Sequence, residues 1–138
     1  MHLVDPDKKD LLNIFNPSTM KILICEDNKL AMRALSVFLG KEGYETTNAV
    51  DGNEAMDLLN TNEYDLILID IHLPYHSGLE LIRHLRSDLK KKTPVIVVSA
   101  FSDPQIQRQA HELGIDDYIV KPIDPTNLIS KIRTLLRN

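Results

Sequence analysis

Four short runs of the chain are apolar at nearly every position: residues 21–25 (KILIC), 65–69 (DLILI), 94–98 (PVIVV) and 117–120 (DYIV). Past their first residues they do not alternate with polar ones. A strand with one wet face would alternate, so continuous β-branched runs predict strands covered on both faces, as in a parallel sheet. A fifth run, residues 44–50 (YETTNAV), is more polar and suits an edge strand.

Helical spacing fills the gaps. Leu30, Ala34, Leu35 and Phe38 form one stripe, which stops between Gly40 and Gly43. Ala55, Leu58 and Leu59 form a second, and Leu79, Ile82 and Leu85 a third. Ile106, Ala110 and Leu113 form a fourth, with Asp103 as N-cap, Pro104 at the first helical position and Gly114 closing the end. Leu128, Ile132, Leu135 and Leu136 form the last. It opens at Asp124 and Pro125, and Lys131, Arg133 and Arg137 suit the negative end of its dipole. The order is β-α repeated five times. Alternation of this kind predicts a doubly wound α/β fold, a five-stranded parallel sheet in the flavodoxin-like order 2-1-3-4-5.

Residues 1–19 fall outside this pattern. Asp5–Pro6 marks a helix start and Asn16–Pro17 a stop, with Leu11, Leu12, Ile14 and Phe15 largely on one face between them. The expectation is a short amphipathic helix docked on the domain of residues 20–138 or on a second copy. A helix that short is marginal alone in water.

Composition narrows the classes. The chain has 138 residues, enough for one domain, and its 43% hydrophobic and 26% charged residues are ordinary globular usage. Sixteen Lys and Arg against twenty Asp and Glu give a net charge of −4, which disfavours nucleic acid as a partner. Cys25 is the only cysteine, so neither an internal disulfide nor a cysteine metal cluster can form. No apolar run reaches the ~18 residues of a membrane span, and the N-terminus lacks a signal-peptide pattern. These features lead to the expectation of a cytoplasmic protein.

In open α/β sheets ligands bind beyond the carboxyl ends of the strands, where the strand order reverses. Glu26 and Asp27 follow the first strand, Asp70 the third, Ser99 the fourth and Lys121 the fifth. Three carboxylates, a hydroxyl and an ammonium therefore share one rim. Asp27 or Asn28 could equally cap the first helix. Asp70 is harder to explain as ornament. It follows four apolar residues, and like charges placed together need a neutraliser. Lys121 is one neutraliser, and Mg²⁺, which is held by few carboxylates and keeps its water, is another. That set suits phosphoryl transfer, with Asp70 as nucleophile forming an acyl phosphate.

Other chemistries fit poorly. The loop after the first strand, CEDNKLAM, has no glycine for a nucleotide cradle, and no GxSxG elbow occurs. His72, His76 and His84 are interrupted by Pro74 and Gly78, which weighs against a zinc site. Cys25 sits inside an apolar strand and reads as an inert core thiol.

From Met20 to Leu136 the chain resembles a response-regulator receiver domain of two-component signalling. The matching pieces are KILICEDN, LILIDIHLPYHSG, PVIVVSA and DYIVKP, in the family's order and near its spacing. The resemblance implies a role for each rim residue. Asp70 would accept a phosphoryl group from a histidine kinase or phosphotransfer protein. Asp27 and Asp70 would hold Mg²⁺, with Glu26 acting directly or through water and the backbone carbonyl of His72 as a further ligand. Lys121 would pair with the phosphoryl oxygens, and Pro122 would follow a cis peptide bond. Ser99 and Tyr118 would form the switch, and Pro74 and Gly78 the turn after the acceptor.

Output would pass to a protein partner over the fourth helix, fifth strand and fifth helix, including Ile106, Tyr118 and Leu128. A homodimer is one such arrangement, and neither nucleic acid nor membrane is expected as a partner. Two positions depart from the common pattern: Ser99 stands where threonine is commoner, and His72 where an aliphatic or amide side chain is more usual. The resemblance also implies a signalling receiver that promotes its own phosphorylation and dephosphorylation rather than an enzyme. Because the sequence ends directly after the last helix, a stand-alone receiver or the terminal receiver of a hybrid histidine kinase is expected. The remaining alternative, a small aspartyl-phosphate hydrolase, would place its nucleophile on the first strand with a second acid two residues on; here that residue is Lys29.

Overall fold

In the computed structural model, which describes residues 19–137, five parallel strands form one sheet in the order β2-β1-β3-β4-β5. Along the chain these are β1 (Lys21–Cys25), β2 (Glu45–Ala49), β3 (Leu66–Asp70), β4 (Val95–Ser99) and β5 (Asp117–Val120). The helices are α1 (Lys29–Lys41), α2 (Gly52–Thr61), α3 (Gly78–Arg83), α4 (Pro104–Glu112) and α5 (Pro125–Leu136). The expected topology is therefore present. The helix expected in residues 1–19 lies outside the described residues, apart from Thr19.

The continuous apolar runs have a simple explanation. Leu23, Cys25, Ile67, Ile69, Val95 and Val97 point to the side covered by α2, α3 and α4. Their neighbours Ile22, Ile24, Leu66, Leu68, Ile96 and Val98 point to the side covered by α1 and α5. Successive strand residues face opposite layers, so every position must be apolar. Each buried Leu or Ile contributes about 1.5–3 kcal/mol relative to exposure.

Strand limits differ from the sequence expectation by one residue at β3 and β4. Asp65 stays outside because its carboxylate accepts the Lys21 amide at 2.7 Å. Pro94 has no N–H to enter the ladder, and contributes only its carbonyl, to the Ile67 amide at 2.9 Å. The third helical stripe also differs. After Arg83 the backbone widens into a π turn over His84–Asp88, where the Leu89 amide donates to the His84 carbonyl at 2.9 Å. His84 anchors that turn between Asp88 (2.8 Å) and Asn60 of α2 (2.6 Å).

Two helix assignments need correction. Leu30, placed in the α1 stripe by spacing, is 80% exposed; Met32, Leu35, Phe38 and Leu39 are the residues that meet the sheet. Leu128, expected on an output face, is fully buried beside Ile132 in the α1–α5 layer. The first is an error of phase; the second is not, because the stripe of Leu128 and Ile132 does face the core and only the placing of Leu128 on the output face fails. A four-residue stripe fixes helical character, but the sheet selects which neighbouring rows it covers.

Candidate functional site

Glu26, Asp27, Asp70, Ser99 and Lys121 all stand at the carboxyl ends of β1, β3, β4 and β5. The ordering of the first loop decides which acid remains free. Asn28, not Asp27, is the N-cap of α1, and its side chain accepts the Ala31 amide at 2.9 Å. Glu26 is buried, and its second carboxylate oxygen accepts the Asn28 amide at 3.0 Å. Asp27 is left exposed with no capping duty.

Lys121 ties the strands together. Its Nζ lies 2.8 Å from Glu26 Oε1 and 2.9 Å from Asp70 Oδ2. Burial alone would lower the Lys121 pKa. Hydrogen bonds and attraction from Glu26 and Asp70 override that and hold it above the ordinary lysine value. The peptide bond that follows, Lys121–Pro122, is cis, as the resemblance implied.

Ligand oxygens of Glu26, Asp27 and Asp70 all lie within 4.8 Å of one another. One lysine cannot neutralise three carboxylates. The rim therefore retains negative charge in a partly buried place, the condition under which a small hard cation binds.

The loop after Asp70 is braced at both ends. The other oxygen of Asp70, Oδ1, accepts the His72 amide at 2.8 Å, and the Gly78 amide donates to the Ile71 carbonyl at 3.0 Å. A Cβ on Gly78 would lie 2.8 Å from the Asp70 carbonyl oxygen, so this turn requires glycine. Gly52 is equally constrained. Its amide donates to the Pro74 carbonyl at 2.8 Å, and a Cβ there would overlap the His76 backbone. Sequence reading missed Gly52. Its signal was an Asp-Gly pair opening a helix, but nothing local tells that residues 52 and 76 meet.

On the far side of the rim, Ser99 is 1% exposed and its hydroxyl accepts the Phe101 amide at 3.1 Å. The hydroxyl of Tyr118 donates to the Phe101 carbonyl at 3.2 Å. Both expected switch residues thus hold the backbone of the same residue, one at its amide and the other at its carbonyl. The Phe101 ring itself is 62% exposed and meets His72 edge-on, with ring centroids 5.5 Å apart. The remaining histidines gather at no metal-ligating cluster among the described residues. Burial pushes the Cys25 thiol far above its ordinary range, with the Glu54 charge adding to the shift; this bears out the inert reading.

A doubly wound sheet carrying two acids after β1, one after β3, a hydroxyl after β4 and a lysine after β5 defines the class of the phosphoryl-signalling receivers. Residues 22–133 match the model of the response regulator receiver domain, and the chain belongs to that family. It is similar to the response regulator ArlR of Staphylococcus saprophyticus, 39% identical over 117 residues that cover 85% of this chain and 52% of that protein. ArlR of Staphylococcus aureus is similar at 38%. The chain thus spans about half the length of these curated relatives.

Among solved structures, the Francisella response regulator 1452 receiver domain superposes with a TM-score of 0.80 at 36% identity, covering 86% of this chain and 97% of that one. The signal receiver domain of a signal transduction histidine kinase from Syntrophus aciditrophicus gives 0.76 at 35%, covering 85% and 89%. The protein is therefore a receiver of two-component signalling. No helix among the described residues is long and apolar enough to cross a membrane.

Proposed function

We propose that Asp70 is the phosphoacceptor of this receiver, taking a phosphoryl group from a phosphohistidine on a histidine kinase or phosphotransfer protein. The observation that carries this reading is the Lys121 bridge. One ammonium, 2.9 Å from Asp70 and 2.8 Å from Glu26, sits where it can follow charge from a carboxylate to a phosphoryl group. In the transfer, an Asp70 oxygen forms the new bond to phosphorus. The P–N bond of the donor breaks, and its electron pair stays on the imidazole nitrogen, which then takes a proton.

Asp70 Oδ1 is held by the His72 amide, which fixes the carboxylate's rotation, while Oδ2 is engaged only by Lys121. Movement of Lys121 toward phosphoryl oxygens would free Oδ2 to attack. Glu26, Asp27, Asp70 and the His72 backbone carbonyl are the groups we assign to Mg²⁺, which when bound would offset charge on the transferring oxygens. The clustered carboxylates support that assignment.

Once Asp70 carries a phosphoryl group, its new oxygens accept from the Ser99 hydroxyl and draw it away from the Phe101 amide. Ser99 then donates to the phosphoryl group, and the Phe101 backbone loses one of its two restraints. Tyr118 is held to the same residue through its hydroxyl, so its anchor shifts with Phe101. The surface that changes comprises α4, β5 and the exposed part of α5, with the apolar Val120 39% exposed on it. We propose this surface as the contact for the downstream protein. The hydrolase alternative finds no support in the family match.

The test is phosphorylation with acetyl phosphate and Mg²⁺, read by intact mass. One phosphoryl group should add to the wild-type chain and none to Asp70→Asn. Equal labelling of that variant would overturn the assignment.

A further inference from the structure

The two ends of α4 are held by different means. Its N-terminal end follows Phe101, Ser102 and Asp103, all exposed. That loop is tied to the sheet by the two neutral hydrogen bonds at the Phe101 backbone, one to Ser99 and one from Tyr118. Its C-terminal end is gripped by a cation. Arg86, in the π turn after α3, donates to the Gly114 carbonyl from Nη2 at 2.9 Å and from Nε at 3.1 Å. Its Nη1 donates to the Lys91 carbonyl at 3.0 Å.

The grip is itself anchored. Nη2 of Arg86 lies 3.6 Å from an Asp116 oxygen that accepts the Val95 amide of β4 at 2.8 Å. The π turn is pinned to α2 through His84 and Asn60. Gly114 presents its carbonyl at φ +95°, a conformation that suits glycine. Ala110 in the last turn of α4 and Ile115 just beyond it are buried in the core. Hydrogen bonds from a charged donor are roughly twice as strong as neutral ones, and the planar guanidinium fixes direction as well as distance.

We propose that Arg86 is the fulcrum of α4: when the Phe101 backbone is released, the helix turns about Gly114, and its N-terminal half carries the change. The motion is a hinge and not a shear, because sliding α4 along the sheet would break the Arg86 fork. Nine residues make a lever of about 14 Å, so a turn of about 10° moves Gln105 by roughly 2 Å and leaves Gly114 in place. A downstream protein that distinguishes the two states would then read the end of α4 nearest the rim, at Gln105 and Ile106. Contacts at His111 and Glu112 would be alike in both. That phosphorylation causes the release rests on the phosphoacceptor reading; the pivot itself does not.

The test uses the full chain and no phosphoryl donor. One nitroxide pair joins Asn53→Cys with Gln105→Cys, and a second joins Asn53→Cys with Glu112→Cys. All three positions are exposed, and Cys25, 1% exposed, stays unlabelled. Pulsed electron paramagnetic resonance reads the two distances. Ser99→Ala together with Tyr118→Phe releases Phe101. The Gln105 distance should then move or spread by roughly 2 Å, the reach of the lever, and the Glu112 distance by less than half as much. Adding Arg86→Met should set the Glu112 distance moving as far as the Gln105 one. Arg86→Lys, which keeps the charge and loses the fork, serves if the methionine variant does not fold. Equal movement at both ends with Arg86 in place would overturn the proposal, as would a Gln105 distance unmoved by the release. So would a Glu112 distance that stays fixed without Arg86, since a merely structural arginine would change stability alone. Failure here is distinct from failure of the phosphoacceptor reading, which acetyl phosphate labelling tests separately.

Discussion

The two halves of the rim are built on different principles. Around Lys121, ion pairs join three strands, and two of the three groups are largely withdrawn from water. Around Phe101, two neutral hydrogen bonds of 3.1 and 3.2 Å hold one exposed residue in a loop. The first half loses much if its lysine is removed, because two buried carboxylates are then left without a counter-charge. The second half loses little, since each contact contributes only about 0.5–1.5 kcal/mol and water can replace it. The proposed mechanism needs both: a site already assembled before the phosphoryl group arrives, and a restraint weak enough for that group to break.

Removing the central cation should give the largest effect on stability. Lys121→Met leaves Glu26 and Asp70 facing each other without compensation. Removing one partner of a fully buried pair costs about 3–5 kcal/mol, and because Lys121 is about a quarter exposed the loss should fall below that range. Urea unfolding would measure it, and Mg²⁺ should recover more stability in the variant than in the parent. A variant as stable as the parent would remove the distinction between the halves.

Gly52→Ala comes next. The added methyl must push the loop of residues 74–76 away, and overpacking of this kind costs about 1–3 kcal/mol. Because that loop leads back to His72 and Asp70, labelling by acetyl phosphate should slow together with the drop in stability. Ala at neighbouring Asn53, which is exposed, should do neither.

Tyr118→Phe removes a single half-exposed hydrogen bond. Stability should fall by less than about 1 kcal/mol, with the rate of Asp70 labelling unchanged. The phosphorylation-dependent shift of the Phe101 amide resonance should grow smaller. A large loss of labelling would place Tyr118 in the rigid half instead.

The smallest effect is expected from pH. A lysine whose pKa is raised on folding contributes stability fully below its unfolded value, near 10.4, and loses it only as pH climbs through the still higher folded value. Between pH 6 and 9 the Lys121 bridge should therefore add no slope to stability. Unfolding titrations of the parent and Lys121→Met over that range should run parallel.

The rigid half was the more legible in sequence. Glu26, Asp70 and Lys121 each follow an apolar run directly and Asp27 is one residue further, so calling the strands also located the charges. The runs themselves were unmistakable because burial on both faces leaves no polar position to confuse the pattern. What escaped depends on contacts between distant segments. Asn28 and Asp27 are chemically equivalent caps, and only the folded turn chooses between them. The overlap of Gly52 with His76 and the grip of Ser99 and Tyr118 on the backbone of one residue have no local signature. Leu30 was misplaced for a related reason: helical periodicity gives the angle between residues but not the direction of the core.

The strand order carries one more consequence, for behaviour in crowded solution. It sends the two least apolar strands to the borders of the sheet. On one border β2 reads ETTNA, with Thr46 bonded to Ser36 at 2.8 Å. On the other, β5 is four residues long, and Asp117 at its head is paired with Lys131 at 2.7 Å. The sticky sequences ILIC, LILI and VIVV are all interior. Charge, polarity and shortness at an open border make it a poor template for cross-chain strand addition. The segments with the strongest amyloid character are thus the ones the folded domain never offers to another molecule.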